Sequence, residues 1–493
     1  MIGRLAFRSL TAHPVRTAVL AAGFGVGVAV MAILLGVAEV VLDQARSPAL
    51  VGGGDVLIHL EPAVPARMVL AGTLQADQLR GRIRATSPRH TASLFLFHDD
   101  SPAPIRVDAR GGIPSLERAM GDPEVASNGE WRNTSEDVAW TQSTPEAVLR
   151  QIDRFHPIPD APAWQDSWAE WLYFNGRARD ARFYLTFLVG PKQPDGSRSA
   201  GVRLQLDRNG RVENFSAPGH VSEEAALRAP ELTIGASRVT LEGLRYVIDL
   251  DLRGEGGRIA RGRIGIEASP GRLVPPIEIG GAHGWRTGYV VPVMSGRLDG
   301  ALDVAGEHIP FDGGAGYHDH NWGFWQGVSW QWGQVQQGDL SLIYGRVFPP
   351  REAADPDRIP GFIGALGPDG PLGYATNVTI AEQNDEHGQP RTILVSGRSP
   401  LLDVHLKFDV GSVVMTRMAQ GRLPNGVNFL QMRGQYTVTG QAGEQAVDFS
   451  APGSAETFRE NPKSQTPNPK KISRFKFQRE LTLRRLWTLI IGI

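Results

Sequence analysis

Between Gly314 and Trp332 the chain reads GAGYHDHNWGFWQGVSWQW, which places two histidines, an aspartate, a tyrosine, an asparagine and four tryptophans within nineteen residues. Imidazole and carboxyl groups move protons, and indole faces accept apolar or cationic surface. The mixture therefore suits chemistry on, or recognition of, a largely apolar ligand. Read as extended chain, the run sets His318, His320 and Trp322 on one face of a strand and Tyr317, Asp319 and Asn321 on the other. Trp325, Trp330 and Trp332 follow. The alternation of the last two matches an ordinary half-buried strand, so plain core competes with a ligand-binding role for them. In EWLYFNG, from Glu170 to Gly176, the same period puts Trp171, Tyr173 and Asn175 on one face. With Glu170 these either line a pocket or form a polar cluster that serves the fold. His283-Gly284-Trp285-Arg286 is a weaker candidate for a pocket rim.

His318 and His320 are spaced so that they could chelate zinc or copper, with Asp319 or His283 nearby. Two ligands do not make a site, and no metal or other cofactor is expected. A structural role, in which Asp319, His320 and Asn321 satisfy one another and the backbone, stays open beside recognition and catalysis. A hydrolase is not indicated, since no Gly-x-Ser-x-Gly occurs in the chain.

The elements that must position these residues are strands. Leu244 to Leu252 and Leu402 to Phe408 alternate apolar and polar residues. Arg182 to Val189, Leu298 to Val304, Trp330 to Gln336, Leu340 to Phe348 and Gln435 to Thr439 are further strands bounded by turn residues. Helical periodicity is nearly confined to Glu146–Arg154. With 58 glycines and 35 prolines spread along 493 residues, the pattern predicts an all-β fold of two antiparallel barrels in tandem, over 151–318 and 319–460. The run PPREAADPDRIPG, from Pro349 to Gly361, reads as a long hairpin loop in the second barrel or part of a lid.

A net charge of −1 gives no global basic field, so nucleic acid is not an expected partner. The absence of cysteine removes disulfides and thiolate metal sites and leaves the redox compartment open. Thr17 to Ala38 is a run of 22 residues without charge behind Arg4, Arg8 and Arg16. It predicts a transmembrane anchor over 17–42, a cytoplasmic basic tail over 1–16 and a periplasmic bulk, at the inner membrane; a cleaved signal peptide is the alternative. Residues 43–150 form an extracytoplasmic region without a chemical motif, containing strands near Gly54–Leu60 and Ala92–Phe97. The tail 461–493 is basic and ends LWTLIIGI, which reads as an interfacial amphipathic segment or a solvated end.

EWLYFNG, the run YVVPVMSGRLDGALDVAGEHIPFDGGAGYHDHNWG from Tyr289 to Gly323, and GQYTVTGQAGEQAVDFSAPGSAETF from Gly434 to Phe458 resemble the tandem-lipocalin family of acyclic carotenoid hydratases (hydroxyneurosporene synthases) and AttH-like proteins. The resemblance spans about 165–460, and YHDHNWG is its most specific part. It implies two lipocalin-like barrels with an apolar pocket. It also implies a lipid or isoprenoid ligand that is hydrated, cyclised or isomerised by acid catalysis. The resemblance further implies a His-x-Trp pair, matched by His320 and Trp322, and a Tyr-x-Asp pair on a later strand. There Tyr344 matches, but Arg346 occupies the aspartate position. A carboxylic acid for alkene protonation is then missing from that strand, and Asp319 is the substitute if its side chain reaches the pocket. The N-terminal segment resembles the first membrane helix of lipoprotein-releasing and macrolide-exporting ABC permeases. That resemblance implies the competing function, a non-catalytic lipid carrier beside an ABC transporter permease.

Overall fold

The computed structural model describes residues 144–460 apart from Asp180, Asn209 and 419–426. It also describes most of 56–120, residues 132–141 and 487–492, and scattered positions between 12 and 37. Two compact units result, one built on 61–71 and 143–484 and the other on 1–60, 72–142 and 485–493.

The larger unit is two barrel-like antiparallel sheets in tandem, as the alternation predicts. In the first, eight strands close a ring: Trp168–Ala178, Ala181–Lys192, Arg198–Arg208, Arg211–Val221, Arg245–Gly254, Ile259–Glu267, Arg286–Val304 and Gly314–Phe324. Closure is made where Arg245–Gly254 pairs along its length with Ile259–Glu267 and, at its end, with Phe215 and Ser216 in the middle of Arg211–Val221. Every second residue points inward, and Leu172, Phe174, Phe183, Leu185, Val202 and Leu204 pack a continuous core. The predicted helix is present as Pro145–Ile152. Thr144 caps it, its Oγ1 accepting from the Ala147 amide at 3.2 Å. Its buried face, Val148, Leu149 and Ile152, joins the barrel core and carries Asp153 in with it.

The motif strand Gly314–Phe324 belongs wholly to the first sheet, between Arg286–Val304 and Trp168–Ala178. A boundary at 318/319 would cut it; the second sheet begins with Ser329–Gln337. The first strand of that sheet pairs with its last, Gln445–Glu460, while the intervening strands run as a meander. Leu342, Tyr344, Val404, Phe408, Met432 and Tyr436 fill its interior. Each predicted strand overlaps an observed one, Leu340–Phe348 matching end for end, while Leu244 falls in the turn before Arg245–Gly254. The proline-rich insertion is a loop with one short 3-10 turn, Pro356–Arg358. It is tied down where the Ala282 amide donates to the Ala353 carbonyl at 2.7 Å.

The outer faces of the two sheets meet through a third cluster, including Tyr173, Tyr184, Val291, Tyr317, Trp332 and Ile343. This explains why the motif strand shows no apolar–polar alternation: one face fills the first barrel and the other faces the second sheet, and both are buried. Backbone approach is also tight. A Cβ on Gly288 would lie 2.0 Å from the Trp322 ring, so only glycine admits the indole there.

The smaller unit holds a four-stranded antiparallel sheet in the order Val56–Leu60, Trp487–Gly492, Ala85–Leu96, Ile105–Gly112. Trp487–Gly492 corrects the reading of the C-terminal residues as an interfacial amphipathic segment. They pair on both sides with other strands, and a run of eight apolar residues is compatible with either state. The rest of the tail, 461–486, lies outside the described residues. Much of the predicted anchor over 17–42 does too. Among the described residues no helix is long and apolar enough to cross a membrane, so the structure offers no support for a single-pass anchor.

Candidate active site

The two faces of the motif strand lead to two different clusters. Inside the first barrel, His318, His320 and Trp322 meet Asp153 from the helix end and Glu170 from the neighbouring strand. His318 sets Nε2 at 2.9 Å from Asp153 Oδ2 and Nδ1 at 3.0 Å from the Tyr173 carbonyl. Because that carbonyl can only accept, Nδ1 carries the proton. The His318 ring stacks on Phe174 at 4.1 Å. His320 sets Nε2 at 2.9 Å from Glu170 Oε1. Its Nδ1 lies 3.3 Å from Asp153 Oδ1, within ion-pair range but not aligned as a hydrogen bond. His156 completes the group, with Nδ1 2.7 Å from Glu170 Oε1 and its ring stacked on Trp322 at 4.4 Å.

The side chains of Asp153, Glu170, His318 and His320 are all 0% exposed. Burial opposes the charge on His320, but its two carboxylate neighbours outweigh that and lift it to about 9. Burial likewise opposes the charges on Asp153 and Glu170, and their histidine partners hold both below the usual carboxylate range. The product is a buried ion network whose charges are paired within it, with Asp153 Oδ1 and His320 Nδ1 left without an aligned hydrogen bond. His156, Glu170 and His320 place donor atoms within 4.8 Å of one another, close enough to share a cation. Here Glu170 Oε1 already serves both rings. His318 and His320 make their hydrogen bonds to different carboxylates, Asp153 and Glu170, and Asp319 lies on the opposite face, so the metal grouping weighed from spacing does not assemble.

The other face opens on a cavity of about 990 Å³ between the sheets, at the top of the range of roughly 300–1,000 Å³ usual for ligand pockets. Asp319, Asn321, Tyr173, Trp325, Trp330, Trp332 and Arg346, all candidate residues of the sequence, line it. His318, His320, Trp322 and Glu170 do not, lying inside the first barrel, and Tyr317 reaches the cavity through its bond to Asp319. Tyr344 does not line it either. It lies inside the second barrel with its hydroxyl 3.1 Å from that of Tyr436, and burial pushes its phenol up, away from acid catalysis. Asn175 lies off the cavity and accepts from Gln334 at 3.1 Å.

Within the cavity a relay of hydrogen bonds ends on Asp319. Trp332 Nε1 donates to Tyr289 Oη at 3.0 Å, the Tyr289 and Tyr317 hydroxyls are 2.7 Å apart, and Tyr317 donates to Asp319 Oδ2 at 2.9 Å. Asn321 donates to the other oxygen at 2.7 Å. Across the cavity Glu456 Oε1 accepts from Tyr173 Oη at 2.9 Å and from Gln431 at 3.3 Å. Tyr173 is also the register partner of Asp319, so one phenol stands between the two carboxyls. Burial pushes Asp319 well above the usual carboxylate range, and Glu456 adds to the shift against the opposing bonds from Tyr317 and Asn321. Burial also raises Glu456, to about 7.

The wall beside them is aromatic. Trp171 lies 4.6 Å from Trp325, and Trp330 stacks on Phe458 at 4.2 Å. The Arg346 guanidinium lies 4.7 Å from the Phe348 ring and donates to the Pro356 carbonyl at 3.2 Å. Glu456, Gln431 and Tyr289 were not singled out from the sequence. Glu456 sits in SAETF, inside the closing run that carries the resemblance, as register partner of Trp332. That pairing of the second sheet's first and last strands is not visible in a linear reading.

No family model matches the chain, and no curated protein matches it. Among solved structures it is similar to kievitone hydratase from Nectria haematococca, at 12% identity and a TM-score of 0.41, covering 62% of this chain and 93% of that one. It is also similar to a protein labelled AttH from Nitrosomonas europaea (13%, TM-score 0.37, 62% and 99% covered). A third is CghA with Sch210972 (13%, TM-score 0.38, 64% and 95% covered). With TM-scores below 0.5, none of these likenesses decides the chemistry, which is argued from the cavity alone.

Proposed function

We propose that the cavity binds an apolar, unsaturated lipid or isoprenoid and that Asp319 protonates it, in the manner of the carotenoid-hydratase-like family. The observation that carries this reading is a pair of carboxyls in one aromatic-walled cavity whose surroundings push their proton affinities apart. Glu456 ionises near pH 7, and its charge helps to keep the proton on Asp319. In hydration, Asp319 gives its proton to one alkene carbon and the adjacent carbon becomes cationic. A water oxygen bonds to that carbon, and its surplus proton passes to the Glu456 carboxylate. The indoles stabilise the cation by about 1–2 kcal/mol per desolvated contact. In isomerisation or cyclisation the cation is instead quenched by loss of a carbon-bound proton.

The test is incubation with an acyclic isoprenoid alkene in deuterated water. Deuterium fixed on carbon is expected; binding without it would sink the catalytic reading and leave a carrier. A pH–rate profile gives a second expectation. The groups facing the pair are Tyr317 and Asn321 on the motif strand, with Tyr173, Tyr289, Trp332 and Gln431 from the strands around it. None of these is acidic near neutrality, and His320, whose charge also reaches Asp319, titrates only near 9, so the rising limb belongs to Glu456 and centres near pH 7. Glu456→Gln keeps an acceptor for Tyr173 and is expected to abolish the rising limb while sparing ligand affinity.

The carrier reading rests on Arg346, a cation in the cavity wall that opposes a carbocation. The charge-free run Thr17–Ala38 supports the finer proposal of an inner-membrane anchor, a periplasmic bulk and an ABC permease partner. Carbonate extraction of membranes tests it: the chain staying in the membrane fraction is expected, and its full release would contradict an anchor.

A further inference from the structure

Five side chains form a row across five neighbouring strands on the cavity face of the first sheet. Asp319, Tyr173, Thr186, Arg203 and Ser216 are each the register partner of the next, and all line the cavity. Facing partners in antiparallel strands share a side, so the row is continuous. It begins at the candidate acid and ends in a guanidinium between two hydroxyls. Arg203 is half-buried and donates to Thr416 Oγ1 at 3.0 Å. Among the described residues it has no carboxylate in ion-pair range, and burial alone acts on its charge, lowering its proton affinity. Arg346 differs, because Asp357 offsets part of its burial. An uncompensated cation facing an apolar cavity is costly unless an anion completes it, and a guanidinium flanked by hydroxyl donors matches the oxygens of a carboxylate or phosphate.

We propose that Arg203, with Thr186 and Ser216, receives the anionic head group of an amphiphilic ligand whose unsaturated apolar part lies against the aromatic wall at Asp319. This rests on the reading of the cavity as a site for an apolar ligand and adds the ligand's class and orientation. Three strand spacings separate Asp319 from Arg203, about 14 Å of backbone. The reacting double bond is therefore many bonds from the head group, and alkenes conjugated to their own carboxylate are excluded as substrates.

The test is equilibrium binding of hexadecanoate, hexadecyl phosphate and hexadecanol, followed by tryptophan quenching, to the full-length protein and its Arg203→Met and Arg203→Lys variants. The wild type is expected to prefer at least one anionic probe over the alcohol by about ten- to a hundredfold, and which one it prefers names the head group. Arg203→Met should erase that preference and leave hexadecanol unchanged, and Arg203→Lys should retain part of it. Hexadecanol bound as tightly as both anions by the wild type would overturn the head-group site and leave the apolar cavity standing. Equal weakening of all three probes in Arg203→Met would also overturn it, by showing that Arg203 ties the sheets together through Thr416. Failure of all three to bind the wild type would contradict the apolar-ligand reading as well.

Discussion

Asp319→Asn is expected to lower turnover by about two to four orders of magnitude, the usual worth of a positioned general acid, and to leave ligand affinity nearly unchanged. The amide keeps the carboxyl's shape and can still accept from Tyr317, but it has no acidic proton for carbon. Measurement of kcat and Kd on the same preparation separates the two effects. The change should cost no stability. A buried carboxyl whose pKa is raised has its full stability contribution below the ordinary value of 3.8 and loses it as pH rises. At neutral pH its removal is therefore neutral or slightly favourable.

The opposite behaviour is expected of the other face of the same strand. Asp153→Ala should destabilise the larger unit by about 3–5 kcal/mol, the cost of leaving a buried charge without its partner, because Asp153 alone faces both His318 and His320. A urea titration followed by tryptophan emission reads the loss. The pH dependence has two edges. The raised His320 contributes stability fully below 6.5, and this is lost as pH climbs through about 9. The lowered Asp153 and Glu170 contribute above their ordinary values of 3.8 and 4.5 and lose that as pH falls below them. The network is thus firmest between about 4.5 and 6.5.

These two expectations mark where the sequence was legible. Leu340–Phe348, buried on both faces, was legible from its apolar run and flanking turn residues, whereas alternation in Leu402–Phe408 revealed a strand because one face meets a core and the other is more polar. The same rule assigned the two faces of YHDHNWG correctly: His318, His320 and Trp322 together, Tyr317, Asp319 and Asn321 together. Spacing could not tell which face meets a cavity, because both are buried and both carry polar groups. The family resemblance directed attention to His320, Trp322 and Tyr344, which lie inside the two barrels. Asp319, first considered as a substitute acid, is the residue that reaches the cavity. Glu456 and Arg203 escaped notice because a lone glutamate in SAETF and a lone arginine in a strand look like solvated positions. Their significance comes from strand register and from sheet-on-sheet packing. Asp153 follows a short helix whose periodicity was readable, but its path into the barrel was not.

The central claim is that Asp319 holds a proton at neutral pH inside the cavity. Difference infrared spectroscopy of wild type against Asp319→Asn at pH 7 tests it directly. A carbonyl band of a protonated, hydrogen-bonded carboxylic acid that is present in the wild type and missing from the variant is the predicted result. A wild-type spectrum with only ionised carboxylate bands at that position would contradict the account.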